Sequence, residues 1–203
     1  MSNGTSYPVL RTPDLAAALK AARQAVAIGV SAQSKVTVEA CVPSLAEVLR
    51  LRDALPESVF MCWNIDAPGE PLPGVPDLTY PVGARDLPDG LAGAEAYLPL
   101  TVSMEDRPLG TVEDGFSEVI GPHPAEISWR HLEWPEAPGR DVYWEGTHAA
   151  VALVLNCDSR DLEVAAGTHT VFVVVRRNDH GERQARWIAE QIGQQVIGPR
   201  DDG

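Results

Sequence analysis

The chain has 203 residues, which is long enough for one large domain with a substantial core. Its 29 acidic residues outnumber 16 lysines and arginines and leave a formal net charge of -13. This charge repels nucleic-acid phosphates and anionic membranes, so we expect no nucleic-acid binding. The sequence has no apolar run of the roughly 20 residues that cross a bilayer, and its start lacks a signal-peptide pattern. We therefore expect a cytoplasmic protein without a transmembrane segment.

The first third of the chain predicts a helix, a strand, a second helix and a second strand. The first helix is predicted to begin at a Thr12 cap and to end at Gly29, with apolar residues along one face. The segment "KVTVEACV" (35–42) alternates as a strand does. The capping box "SLAE" begins the next helix at Ser44. The segment "SVFMCWNID" (58–66) predicts the second strand.

The middle of the chain has a different composition. Residues 67–146 hold twelve of the seventeen prolines and ten of the seventeen glycines, which favours turns, short strands and loops. We expect strands at 95–104 and 126–134, and a hairpin in which 141–146 pairs with the second of them. The segment is predicted to be a loop-rich β insertion within a single domain that spans residues 1–203.

Regular structure returns in the last third. Strands are predicted at 148–157 and 169–176, followed by a helix at 180–192 that begins with a capping box at Asp179. A short strand, "QVIG", is predicted to follow that helix. The fold class is therefore α/β (mixed α+β), with helices packed on a central mixed β-sheet and a Pro/Gly-rich hairpin and loop insertion in the middle.

The last predicted helix carries a possible partner-binding surface. Helical spacing places Trp187 on the polar side, near Arg183 and Glu190. Exposed tryptophan beside arginine is typical of residues that dominate the affinity of protein interfaces. The alternative, which the usual burial of tryptophan favours, is that the fold itself covers Trp187 and that Arg183 stacks on its ring.

A second set of residues is compatible with catalysis. Asp66, Cys157 and Asp158 follow predicted strands, and strand ends are where sites gather in α/β sheets. His131 or His148 would supply an imidazole. Each of these residues also has a structural explanation, because aspartate begins turns and free cysteine is usually buried. The sequence lacks a serine-nucleophile motif, a zinc-deaminase signature and metal-ligand spacing, so we expect no metal and no cofactor.

Aromatic residues are concentrated around the predicted hairpin. Such a set could line a ligand cleft, since aromatic walls suit sugars, nucleobases and cations. Strand alternation places two of them, Trp129 and Trp134, on opposite faces, so at least one is expected in the core. Trp63 joins the set if its strand neighbours the hairpin. The cleft candidates are Trp129, Trp134, Tyr143 and Trp144.

Two functions remain open at this point. The first is a non-catalytic acidic interaction protein of bacterial or phage origin. Such a protein would act as an immunity or inhibitor protein, an anti-defence factor or an assembly component. It would bind a protein partner, for which the negative charge favours a basic one, or associate with itself. The alternative is a small-molecule enzyme or binder that uses the strand-end carboxylates and a Trp-lined cleft. The acidic charge and the missing catalytic signatures favour the first.

Overall fold

Residues 4–63, 73–135, 149–177 and 180–200 are described by the computed structural model. The strands are β1 (Gly4–Thr12), β2 (Lys35–Val42), β3 (Val59–Cys62), β4 (Val82–Gly83), β5 (Leu100–Arg107), β6 (Ala125–Leu132), β7 (Ala149–Leu155) and β8 (His169–Arg176). The α-helices are α1 (Leu15–Gly29), α2 (Leu45–Ala54), α3 (Glu113–Val119) and α4 (Gly181–Gln191). Two short 3₁₀ helices span Ala84–Asp86 and Ala94–Tyr97.

These strands form one sheet in the order β1-β8-β7-β6-β2-β5-β3-β4. The mixed α+β class is confirmed, but every strand pairing in the described ranges is antiparallel, so the expected mixture of strand directions is not found there. A helix links β2 to β3, and connections of this kind are common between parallel neighbouring strands. In the structure, β5 lies between these two strands and runs antiparallel to both.

The proline-rich middle of the chain is part of this sheet. Residues 67–146 supply β4, β5 and β6, and the last two flank β2 on either side. The strand expected at 95–104 begins at Leu100, because Ala94–Tyr97 forms a 3₁₀ turn. The strand expected at 126–134 is β6. The second arm of the predicted hairpin, 141–146, lies outside the described residues.

The two chain ends differ from the sequence expectation. Strand β1 was not predicted, and it forms one edge of the sheet by pairing with β8. The short strand expected at 195–198 is wrong, since that segment has no strand pairing. Instead, it runs beside β1, where the backbone N–H of Ile197 donates to the carbonyl oxygen of Pro8 at 2.9 Å.

Side-chain caps fix the beginnings of two helices. Helix α1 is capped by Asp14, whose carboxylate accepts from the Ala17 N–H at 3.1 Å, and not by Thr12 as predicted. The Thr12 hydroxyl accepts from the Asp14 N–H instead. The predicted Ser44 cap is confirmed, because its hydroxyl accepts from the Glu47 N–H at 3.3 Å. The predicted Asp179 cap lies outside the described residues.

The main core fills the space between the helices and one face of the sheet. Alternate residues of each strand point into it, as Val36, Val38 and Ala40 do in β2. Helices α1 and α4 pack on the β7–β8–β1 side, and α3 packs on β2. On the opposite face of the sheet, the loop of residues 156–168 covers a smaller apolar cluster. This cluster consists of Ala152, Val154, Cys157 and Phe172, with Leu162 packed on it.

The end of α1 packs closely against Trp134. A Cβ atom added at Gly29 would lie 2.7 Å from Cε3 and 2.9 Å from Cζ3 of that buried indole. Glycine to alanine usually stabilises a helix by up to about 1 kcal/mol. Here we expect Gly29→Ala to lower the free energy of unfolding by about 2 kcal/mol, because the indole is forced to move. Urea unfolding followed by circular dichroism measures the change.

The matched control is Gly115→Ala in α3. No atom lies within 4 Å of the Cβ that this substitution would add. We therefore expect the ordinary helix effect, a stabilisation of up to about 1 kcal/mol. Equal effects of the two substitutions would show that Trp134 does not restrict the end of α1.

Candidate binding groove

A groove of about 390 Å³ lies over β2, β5 and β3, on the face of the sheet that does not carry the main core. The strand register aligns Glu39, Ser103 and Val59 in one row across these strands. Thr101 and Met61 lie opposite each other in the next row of the groove. These five side chains form the floor. The rest of the lining is Glu57, Trp63, Pro81, Met104, Glu105 and Arg107.

Trp63 forms an exposed aromatic rim of this groove. It follows the buried Cys62 at the end of β3, and 72% of its surface is exposed. Tryptophan is usually well buried in its own fold. Tyr80, which precedes Pro81 of the groove, is also 69% exposed. Two large exposed rings therefore lie at or beside one edge of the groove.

Glu39 is the charged residue of the floor. Its carboxylate makes no hydrogen bond or ion pair with the rest of the described chain. Partial burial raises the pKa of Glu39, and the neighbouring Glu126 and Glu105 carboxylates raise it further. The positive charges of Arg160 and Arg130 lower this pKa. The groove thus holds a half-buried acid with no cation bound to it.

Glu126 faces Glu39 across the β2–β6 pairing, and its environment is different. The Arg160 guanidinium donates to both Glu126 oxygens, at 2.8 and 2.7 Å, and also to the Ser6 hydroxyl at 2.9 Å. The Glu126 side chain is only 5% exposed. One of two adjacent carboxylates is therefore neutralised by an internal arginine, while the other faces the groove.

The remaining charges of the groove are also mainly negative. Arg107 is its only lining cation among the described residues, and it pairs with Glu57 at 2.6 Å. Glu105 is exposed. Because the single arginine is already paired, Glu39 and Glu105 give the groove a negative potential.

Replacing Glu39 by glutamine is expected to stabilise the protein at neutral pH by about 0.5 kcal/mol, since it removes a like-charge pair across adjacent strands. The pKa of Glu39 is raised by folding, so its ionisation costs stability as the pH rises through the folded-state value. The advantage of Glu39→Gln should therefore disappear in acid, where both states are protonated. Thermal melts of the parent protein and of Glu39→Gln between pH 4 and 8 measure this difference in stability. An advantage that does not change with pH would contradict this account.

The predicted aromatic cleft is only partly described. Trp129 and Trp134 are buried in the core and do not line the groove. The indole N–H of Trp129 donates to Glu113 Oε1, and that of Trp134 donates to the Val174 carbonyl, both at 3.0 Å. Tyr143 and Trp144 lie outside the described residues. Trp63, which the sequence had placed in this set conditionally, lines the groove and is the only tryptophan among the described residues that does.

The residues predicted for catalysis do not meet in the described part of the chain. Cys157 is buried next to the end of β7, where its thiol donates to the Ser159 carbonyl at 3.2 Å. Asp158 pairs with Arg11 at 3.3 Å. His131 is exposed near the other end of the β6–β7 pair, roughly 20 Å from Cys157 by strand rise. Asp66 and His148 lie outside the described residues.

The predicted partner-binding residues of α4 lie on the helix side of the sheet, away from the groove. Trp187 is partly buried against the main core. Arg183 and Glu190 are exposed, and the Arg183 guanidinium contacts His180. A role for these three residues in binding stays a prediction.

Sequence reasoning did not single out Glu39 as a site residue. The signal that points to it is a lone acidic residue inside the apolar alternation of "KVTVEACV", on a strand with neighbours on both sides. An ionisable side chain at such a position must either find a partner or face a cavity. The sequence does not reveal which, because the neighbouring strands come from distant segments.

No family model matches this chain, and the searches found no similar curated protein and no similar solved structure. Across the described ranges, none of the helices has the length and apolar character needed to span a membrane. In the same ranges, no three or more histidine, cysteine, aspartate or glutamate side chains are grouped as a metal site would require.

Proposed function

We propose that this chain is a non-catalytic acidic interaction protein whose groove binds a basic segment of a protein partner. The observation that carries the proposal is the Glu39 carboxylate in the groove floor, which has no partner among the described residues, in a groove that the exposed Trp63 also lines. A cation placed at Glu39 would compensate its charge, and a second cation of the same segment would find the face of an aromatic ring at Trp63. The groove thus offers a basic segment two favourable contacts.

Long-range electrostatics support the same partner. The formal charge of -13 attracts basic proteins from a distance and speeds their encounter. Glu105 is exposed at the groove, where it would add to this attraction. An immunity or inhibitor protein, an anti-defence factor or an assembly component in a bacterial or phage-infected cytoplasm would use such a surface.

A small cationic molecule is the second candidate ligand, because a groove of about 390 Å³ has the size of small-molecule sites. A protein partner is favoured by the exposed Tyr80, which extends the aromatic surface past the groove lining. Tyrosine and tryptophan are the residues most enriched where protein interfaces gain their affinity. Both candidate ligands would present a cation to the groove. A protein partner would cover a larger area of the surface than a small molecule would.

The proposal is tested by isothermal titration calorimetry with the peptide Arg-Lys-Arg-Lys. We expect Trp63→Ala to weaken binding about fivefold, through loss of the cation–π contact. Glu105→Gln should weaken it about twofold, as expected for an exposed charge. The matched control is Glu118→Gln, which removes one exposed carboxylate from α3 and should leave the affinity unchanged.

The α4 surface is tested in the same experiment with Trp187→Ala, after a thermal melt has shown that the variant is folded. If Trp187→Ala weakens peptide binding and Trp63→Ala does not, the binding surface lies on α4 and the groove proposal is overturned. Absence of measurable peptide binding to the unaltered protein would overturn it as well.

A further inference from the structure

We propose that the groove selects an arginine side chain over a lysine side chain of the partner. This inference rests on the proposed function and specifies the group that Glu39 binds. The planar guanidinium presents paired N–H donors that match both oxygens of a carboxylate, whereas a lysine ammonium is a compact and strongly hydrated charge. Selection between them therefore depends on whether both carboxylate oxygens are accessible beside a flat surface.

The same face of the sheet already holds one arginine in this way. Arg160 donates to both oxygens of Glu126, the residue that faces Glu39 across the β2–β6 pairing. Glu39 is the equivalent acid one strand further along the sheet, and the described residues supply no guanidinium to it. An incoming arginine would complete at Glu39 the contact that Arg160 makes at Glu126.

The groove's own arginine, which could compete with a partner's arginine for Glu39, is paired with another carboxylate. Arg107 lines the groove, but its guanidinium donates to Glu57 Oε2 at 2.6 Å. The side-chain register of β2 and β5 places Arg107 opposite Val36, three residues before Glu39. Glu57 thus holds the groove's own arginine away from the floor.

The other lining residues match the shape of an arginine side chain. Val59 and Met61 provide an apolar floor for its methylene stem. Trp63, four residues beyond Val59 on the same side of the groove, provides an exposed ring on which the guanidinium of a neighbouring arginine stacks. The hydroxyls of Thr101 and Ser103 are acceptors for N–H groups that Glu39 does not take.

The test is a comparison of tetra-arginine with tetra-lysine by isothermal titration calorimetry on the full chain. The two peptides carry the same charge, so general attraction to the acidic protein is matched. We expect tetra-arginine to bind about tenfold more tightly, with the preference lost in Glu39→Gln. Glu39→Gln is expected to fold at least as well as the parent, and Glu118→Gln on α3 is the control that should retain the preference.

The possible results separate this inference from the proposed function. Equal affinities for the two peptides, both weakened by Trp63→Ala, would overturn arginine selection and leave a groove for basic partners. A preference for arginine that persists in Glu39→Gln would overturn the role of Glu39 in selection. Absence of binding, or binding that is insensitive to Trp63→Ala, would overturn both proposals.

Discussion

Replacing Arg160 by alanine is expected to lower the free energy of unfolding by about 3 kcal/mol, because it leaves a buried carboxylate without its cation. Glu126 is nearly inaccessible to solvent and accepts two hydrogen bonds from Arg160. Its cross-strand neighbour is Glu39, which adds repulsion once the guanidinium is gone. Urea unfolding measures the loss, which corresponds to a melting temperature lower by about 6–12 °C in a chain of this size.

The double variant Arg160→Met with Glu126→Leu provides the control. Removing both charges together leaves no uncompensated charge, so the double variant should be within about 1 kcal/mol of the parent protein. If Arg160→Ala costs less than about 1 kcal/mol, the Arg160–Glu126 pair contributes no more than an exposed ion pair does. If the double variant is as unstable as Arg160→Ala, the loss comes from packing and not from the uncompensated carboxylate.

Replacing Glu113 by alanine is expected to cost about 3 kcal/mol, because three donors lose a buried acceptor. The Glu113 carboxylate accepts from the Trp129 indole N–H at 3.0 Å and from the backbone N–H groups of Gly110 and Val112 at 2.8 and 3.1 Å. The residue is 4% exposed, so water does not readily replace these bonds. The loss is measured by urea unfolding, with Trp129 among the residues that report by fluorescence.

The neighbouring Asp114→Ala is a matched control for this substitution. Asp114 pairs with Arg23, and both side chains are largely exposed. An exposed pair of this kind contributes roughly 0.5 kcal/mol or less. Similar losses for the two variants would mean that the Glu113 hydrogen bonds add nothing beyond the presence of an acidic residue at the start of α3.

The sequence predicts those elements whose signals are local. Strands β2 and β8 and helix α2 were predicted because alternation, an apolar run and a capping box each lie within a few residues. Strand β1 was missed because it contains Pro8, and proline is tolerated only at sheet edges. The position of β1 at the edge of the sheet accounts for this exception.

The groove was not predicted because it depends on strand order. Glu39, Ser103 and Val59 share one row, although β5 lies far along the chain from β2 and β3. Sequence spacing predicts which face of its own strand a residue occupies, but not which strand lies beside it. For the same reason the tryptophans of the predicted cleft could not be assigned, since the burial of Trp129 depends on the distant β2 and β7 strands beside it.

We propose that the groove at Glu39 and Trp63 is the binding surface for a basic partner. The most direct test is a ¹H–¹⁵N chemical-shift titration of the full chain with tetra-arginine. We predict that the shift changes are confined to β2, β3 and β5 and include the amide of Glu39 and the indole N–H of Trp63. Changes that centre on α4 around Trp187, or that spread evenly over the acidic surface, would contradict the claim.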